Sequence, residues 1–551
     1  MQTAYTVGTY LIKKLHECGV KHVFGIPGDY VLGFYDMLNR TKNLELINTC
    51  DELGAAYAAD AYARVKGLGV VCVTYCVGGL KVVNATAQAY AEKSPIVVIS
   101  GAPGTKERTK NPLLHHMVRD YDTQKRIFEH ITVASAVLEN PYNASAEIDR
   151  VLSTALRYKR PIYIELPRDV VDSPVGNISE NVLKTGYEES SEPLAMGEAV
   201  QEAAAMINAS EKPIIVAGVE IHRFGLQDEL LHLLEKTNIP VVATILSKSV
   251  ISEFHPSYLG LYQGAIGDEF VRECVESSDC LILLGALMTD IDFGISSTPI
   301  EESHSIYVTS EKLSIRHHNF ENVRLQDFIR NLINTNLSMR EVIRSRRQGS
   351  RDFFSINIGK KITVRHLFNK LASFITADTI VIADVGDCLF GALDLVIPQA
   401  AEFLAPAFYT SMGFAVPACI GAQLANPKLR PIVIVGDGAF QMTGMEISGA
   451  VRYKLNPIVI VLNNGGYGTE RRLLDGPFND LQPWQYGSIP ELVMGGRGFV
   501  INTEDEFDRA LEAANEHLES FSILDVRLDP KDVSAALQRL TEVLGKRVNA
   551  K

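Results

Sequence analysis

The sequence predicts three consecutive α/β domains, each a mainly parallel sheet flanked by helices. Short apolar runs alternate with stretches of helical spacing, the pattern of repeated βαβ units. At 551 residues, the chain exceeds what one core organises and suggests about three or four domains. Two polar stretches, 171–195 and 340–351, interrupt the pattern and leave segments 1–172, 190–340 and 355–551.

The N-terminal stretch MQTAYTVGTYLIKKLHECGV reads as an amphipathic helix, without the long apolar core and cleavage site of a signal peptide. In the first segment, strands are expected at His22–Gly25, Val70–Tyr75, Ile96–Ser100 and Pro161–Leu166. The middle segment offers Pro213–Ala217, Val241–Thr244, Cys280–Leu284 and Ser305–Thr309. It carries neither a GxGxxG turn nor a run of candidate catalytic groups. The last segment offers Ile380–Ala383, Ile432–Val435, Ile458–Leu462 and Ser522–Val526. An internal echo joins the outer segments: Lys93-Ser94-Pro95-Ile96 and Leu455-Asn456-Pro457-Ile458 each lead into a β-branched apolar run. Chance similarity between buried strands is the bland account; two related sheets holding something between them is the other.

Composition narrows the function. A net charge of −13 argues against nucleic acid as a partner. No apolar run reaches membrane-spanning length. Eight scattered cysteines, with Cys72 and Cys76 on one expected strand, read as buried, reduced thiols of a cytoplasmic protein.

Chemistry concentrates in residues 431–470. An apolar strand runs into Gly436-Asp437-Gly438. A segment with helical spacing follows (Met442, Met445, Ile447, Val451), and a second strand ends at Asn463-Asn464. In such a βαβ unit the two strands are parallel neighbours, and Asp437 and Asn464 fall at their carboxyl ends, where open α/β sheets bind ligands. Two oxygen ligands there suit magnesium completed by phosphate and water. No GxxxxGK[ST] loop is present. GDG alone is an ordinary turn; GDG, 24 residues (439–462), then an Asn-Asn pair is far more specific.

The first segment adds Asp29 in Gly25-Ile26-Pro27-Gly28-Asp29-Tyr30, Glu52 at the start of a small-residue helix, and His115-His116 in a polar loop. Singly, each has a plain structural reading: a cap, an acid at a helix N-terminus, surface histidines. His317-His318 is an internal control, whose setting SIRHHNF offers neither a strand end nor a glycine turn.

Taken together, GIPGDY, DELGAAYAADAYAR, LHH, GDG…LNNGGYGTE and DGPFND resemble the thiamine diphosphate-dependent 2-keto acid decarboxylases over the whole chain, closest to indolepyruvate- and phenylpyruvate-type enzymes. The resemblance implies a pyrimidine-binding domain, a Rossmann-like middle domain and a diphosphate-binding domain, with thiamine diphosphate and Mg²⁺ as cofactors. It assigns Asp437, Asn464 and the Gly466 carbonyl to the metal. It places Asp387, Thr410, Gly436, Gly438, Ala439, Tyr467 and Gly468 at the cofactor. Glu52 matches the glutamate on the pyrimidine ring, and Met412 the wedge that bends the cofactor. Asp29, His115, His116 and Glu470 match the acid–base set. The implied reaction is non-oxidative decarboxylation to an aldehyde and CO₂ through a ylid and an enamine.

Departures from the family pattern bear on the substrate. Thr410 stands where relatives often have glycine, Thr469 where a branched aliphatic lines the pocket, and Leu389 where an aromatic is common. Val385, Leu473, Leu537 and Thr541 complete the implied wall. A larger site favours long-chain or aromatic 2-keto acids such as indolepyruvate, phenylpyruvate and 2-keto-octanoate. Two alternatives stay open, an acetolactate synthase-like carboligase and an inactive cofactor-binding subunit. The family also implies a dimer with sites at its interface, Glu52 of one chain facing cofactor on the other, and a dimer of dimers. It implies neither nucleic acid nor membrane as partner.

Overall fold

The apolar runs of the sequence become the inner strands of three sheets. The computed structural model describes residues 5–176, 190–291, 302–343, 358–399 and 401–548, with side chains to residue 542. The polar stretches 171–195 and 340–351 lie partly outside the described residues.

The first sheet contains β1 (His22–Gly25), β2 (Glu45–Asn48), β3 (Gly69–Val73), β4 (Ile96–Ala102), β5 (Ala134–Val137) and β6 (Ile162–Pro167). Its order is β2-β1-β3-β4-β6-β5, all parallel. The middle sheet contains β7 (Pro213–Ala217), β8 (Val241–Ala243), β9 (Tyr258–Leu261), β10 (Cys280–Leu284), β11 (Ser305–Val308), β12 (Leu313–Ile315) and β13 (His318–Phe320). Its order is β13-β12-β11-β10-β7-β8-β9; β11, β12 and β13 pair antiparallel, the rest parallel. The third sheet contains β14 (Thr379–Ala383), β15 (Glu402–Leu404), β16 (Arg430–Gly436), β17 (Ile458–Asn463), β18 (Arg497–Ile501) and β19 (Ser522–Arg527). Its order, β15-β14-β16-β17-β19-β18, is again all parallel. The outer sheets therefore share one strand order. The two strands of the sequence echo, β4 and β17, occupy equivalent places in it.

One helix joins the outer domains. Glu52–Lys66 is capped by the Asp51 side chain, ends at Gly67 in the left-handed region (φ 101°), and is buried from Gly54 through Ala63. Its alanines let it lie against the helix Ala415–Ala425. A Cβ on Gly421 would stand 1.9 Å from the Ala58 carbonyl oxygen, so only glycine permits this approach. Tyr57, Ala58, Phe414 and Ala418 belong to one apolar cluster shared by the first and third domains. A second cluster joins the middle and third domains.

Several local expectations need correction. Strands β2, β5, β9, β12, β13, β15 and β18 were not expected; six of these edge a sheet and the other, β12, pairs with an edge strand. Cys76 lies beyond the end of β3, with φ 50°, and shares no strand face with Cys72. All eight cysteines are free, but only five are buried: Cys50 is exposed, and Cys18 and Cys274 are half-buried. The Met442–Val451 helix is interrupted: an α-helix Asp437–Thr443, a 3₁₀ turn Gly444–Ile447 and a short helix Ser448–Arg452 follow one another. Met442 points to solvent. His318 opens β13, so the control pair does sit at a strand end; it pairs with Glu202 on the surface.

Candidate active site

Strands β16 and β17 are neighbours in register, Gly436 beside Leu462. Asp437 begins the helix after β16, and Asn464 follows the last residue of β17. The Asp437 carboxylate accepts N–H bonds from Gly438 at 2.8 Å and Gly465 at 2.7 Å. Asn464 Oδ1 accepts the Gly466 N–H at 3.2 Å. Burial pushes the Asp437 carboxyl up to about 6 against these backbone donors. Carboxylate, amide oxygen and the Gly466 carbonyl are hard donors of the kind magnesium takes. A buried carboxylate held by neutral donors is a place a divalent cation relieves. The residues fit a metal–diphosphate group. The DGPFND loop folds back on this turn: Tyr467 N–H donates to the Asn479 carbonyl at 2.9 Å, and Gly466 bridges to Asp480. The Tyr467 ring lies over Gly438, and Ala439 is buried behind it. The short helix Gly468–Leu473 carries Thr469, the exposed Glu470 and Leu473.

At the end of β14, Asp384 is fully buried. Its Oδ1 accepts N–H bonds from Val385 (2.9 Å) and Gly413 (3.1 Å), and its Oδ2 that of Ala415 (2.8 Å). This one carboxyl fixes the turn carrying Thr410 and Met412 to the sheet; burial pushes it up to about 6. The first domain grips the same turn, since Ser411 Oγ pairs with the Tyr57 hydroxyl and accepts from Asn84 Nδ2 at 2.8 Å. Met412 packs, partly buried, against the shared cluster. Thr410 adopts φ 55°, a left-handed conformation that is costly for a β-branched residue.

Asp387, expected at the cofactor, directs both oxygens to the Ser534 N–H at 3.1 and 3.0 Å; burial pushes it up to about 6. Ser534 Oγ in turn accepts the Leu537 N–H at 3.1 Å, at the start of the helix Ala535–Val548. Of the expected pocket wall, Leu389 and Leu537 are buried in one apolar cluster. Thr541 Oγ1 donates to its own helix at the Leu537 carbonyl (3.0 Å). Val385 and Leu473 are half-buried, and Thr469 Oγ1 lies 3.4 Å from where a Cβ on Gly386 would stand.

In the first domain, Asp29 and the histidines meet. His115 Nε2 is 2.6 Å from Asp29 Oδ2, and His116 Nε2 is 3.6 Å from Oδ1. The buried Tyr30 stacks on His115 (centroids 4.7 Å, 18°), its hydroxyl 3.3 Å from Nδ1. Arg168 stands over the Tyr30 ring at 5.0 Å and 3.9 Å from Asp29. Burial raises Asp29, but the His115 hydrogen bond and the two histidine charges outweigh it and hold the carboxyl below its usual range.

Glu52 begins its helix and pairs with Lys81 at 2.8 Å. Just before it, the Cys50 and Asp51 N–H groups donate to Glu446 Oε2 and Oε1, both at 2.9 Å. Burial pushes Glu446 up to about 7.

The chain thus assembles Asp29 with both histidines, and Asp437 with Asn464 and Gly466. Among the described residues, no hydrogen bond or ion pair joins Glu52 or Asp29 to Asp437, Asn464 or Glu470. Sequence reasoning missed Asp384, Glu446, Lys81 and Arg168. Asp384 carries a signal like that of Asp437, a carboxyl directly after an apolar strand; the other three depend on contacts distant in sequence.

Comparison with known proteins matches the N-terminal TPP binding domain of thiamine pyrophosphate enzymes at residues 5–126, their central domain at 200–335 and their C-terminal TPP binding domain at 384–526. The indole-3-pyruvate decarboxylase of Azospirillum brasilense is 34% identical over 537 residues, 97% of this chain and 97% of that protein. A probable pyruvate decarboxylase of Schizosaccharomyces pombe is 32% identical over 549 residues, 98% and 95% of the two chains. An alpha-keto-acid decarboxylase of Mycobacterium leprae is 31% identical over 551 residues, 98% and 96% of the two chains.

Proposed function

The chain belongs to the thiamine pyrophosphate enzymes as a thiamine diphosphate-dependent 2-keto acid decarboxylase, and we propose that it favours long-chain or aromatic 2-keto acids and releases the aldehyde. The observation that carries aldehyde release is the Asp29–His115 contact of 2.6 Å with His116 beside it. This is a proton-delivering group that a carboligase of the acetolactate synthase type does not require, and its retention also speaks against an inactive subunit.

Thiamine diphosphate, when bound, supplies the nucleophilic carbon that attacks the keto group and the electron sink that lets CO₂ leave. Asp437, Asn464 and the Gly466 carbonyl would hold Mg²⁺. Gly436, Gly438, Ala439, Tyr467, Gly468 and Asp387 would surround the diphosphate end. Met412, with Thr410 before it, would set the cofactor's shape, and Asp384 keeps that turn in place. Glu52 would present its carboxyl group to the pyrimidine ring. Asp29, His115 and His116 deliver the proton to the carbon that CO₂ has left and assist departure of the product. Glu470 faces the substrate's carboxylate end.

Thr469, Leu389, Val385, Leu473, Leu537 and Thr541 form the wall of the substrate pocket in this reading. Each additional buried CH₂ contributes about 0.8 kcal/mol. The domains run 1–172 (pyrimidine-binding), 190–340 (middle) and 355–551 (diphosphate-binding). The family resemblance supports a dimer as the working unit, with sites at its interface and Glu52 of one chain facing cofactor on the other, paired again into a tetramer and acting in the cytoplasm. Among the described residues, no helix is long and apolar enough to cross a membrane.

The test is to strip the protein of cofactor, restore thiamine diphosphate and Mg²⁺, and separate the products from phenylpyruvate and pyruvate. Aldehyde as the main product supports the reading; a predominance of acetolactate, or no turnover, overturns it.

A further inference from the structure

Lys81 lies on the 3₁₀ turn Gly79–Val82, after β3. Its ammonium is 2.8 Å from Glu52 Oε2 and also pairs with Asp51. The Glu52 side chain is only 14% exposed, that of Lys81 48%. Hydrogen bonds to Asp51 and then Glu52 hold the ammonium above the usual lysine value. Other groups around Glu52 come from several elements. Asp51 precedes it on the same helix. Glu446 reaches in from the turn Gly444–Ile447 through the Cys50 and Asp51 N–H groups. The Tyr35 hydroxyl, on the helix Leu32–Arg40, feels the Glu52 charge. Among the described residues, Lys81 is the cation paired with Asp51 and Glu52.

We propose that Lys81 is a positioning residue that holds the Glu52 carboxylate while the site is empty and competes with the cofactor's pyrimidine ring for it, so that the Lys81 contact limits cofactor affinity. The inference rests on the reading of Glu52 as the group that faces that ring. An ammonium in contact favours the charged form of a carboxylate. The ring nitrogen needs the opposite, a carboxyl with which it shares a proton. Lys81 therefore opposes the proton-sharing pair, and its contact with Glu52 must give way as the ring binds. Its half-exposed position leaves the contact screened but breakable, so cofactor can enter without unfolding the turn.

The experiment is calorimetric titration of thiamine diphosphate, at saturating Mg²⁺, into the full-length apoprotein at neutral pH. It compares the unaltered chain with Lys81→Met, Lys81→Arg, Glu52→Gln and the double variant Lys81→Met/Glu52→Gln. Lys81→Met is expected to tighten cofactor binding several-fold, since the competing ion pair is gone. Lys81→Arg keeps the charge and the original curve. In the Glu52→Gln background, Lys81→Met changes nothing. A Lys81→Met curve that superimposes on the original, or a displacement that survives in the Glu52→Gln background, overturns the inference. Decarboxylation assayed in parallel separates the two levels. An active Glu52→Gln enzyme removes the underlying reading and the inference with it. An inactive Glu52→Gln with a superimposed Lys81→Met curve removes the inference alone.

Discussion

Glu446 accepts the backbone N–H of Asp51 at 2.9 Å, one residue before Glu52. The acceptor stands nine residues after Asp437, beyond the helix that begins at the expected metal site, and the donor begins the helix that carries Glu52. One carboxyl thus ties the third domain to the first. The fit is close, since a Cβ on Gly54 would meet Glu446 Oε1 at 2.1 Å.

Glu446→Gln leaves one acceptor oxygen for two N–H donors, a cost of about 1–3 kcal/mol for the one left unmet. It also changes the pH dependence of stability. Folding raises this carboxyl from 4.5 to about 7, so the folded state holds the proton more tightly. That contribution is complete below about pH 4.5 and is lost as pH rises through about 7. Glu402, which burial also pushes up to about 7, acts in the same direction. Thermal unfolding between pH 5 and 7.5 should show stability falling as pH rises, less steeply in Glu446→Gln.

Gly421→Ala drives a Cβ into the Ala58 carbonyl across the interdomain helix pair. Because that neighbour is backbone, the helices must separate, at about 1–3 kcal/mol. Denaturant unfolding should show the loss, with far-UV circular dichroism preserved.

Thr410→Gly should stabilise the protein by about 0.5–1 kcal/mol, since φ 55° strains threonine and suits glycine. Urea unfolding measures it; unchanged or reduced stability would show that the threonine side chain offsets the strain through its contacts.

Asp29→Asn keeps the shape beside His115 but removes the charge that orients it. Turnover should fall by about 10²–10⁴-fold, while cofactor affinity, measured by quenching of the single tryptophan, Trp484, stays within a few-fold. A large loss of affinity instead would move Asp29 from proton transfer to cofactor binding.

Most of the fold was legible because the inner strands of parallel sheets are buried on both faces and read as unbroken apolar runs. Two of the unread strands break this rule. β2 buries Ile47 alone, and β18 exposes most of its residues. The candidate site was legible where its residues lie close in sequence, as at GDG and the Asn-Asn pair. Lys81 lies 29 residues from Glu52 and Glu446 lies 395 from Asp51, and neither contact leaves a local pattern. Thr410 was visible only as an unusual residue; its positive φ supplies the physical reason that glycine suits the place.

The most direct test of the substrate reading is kcat/KM for pyruvate, 2-keto-octanoate, phenylpyruvate and indolepyruvate with the cofactor-loaded enzyme. The proposed pocket wall around Leu389 and Thr469 predicts that the long-chain and aromatic acids exceed pyruvate by at least about tenfold, the equivalent of two buried CH₂ groups. A clear preference for pyruvate would contradict it.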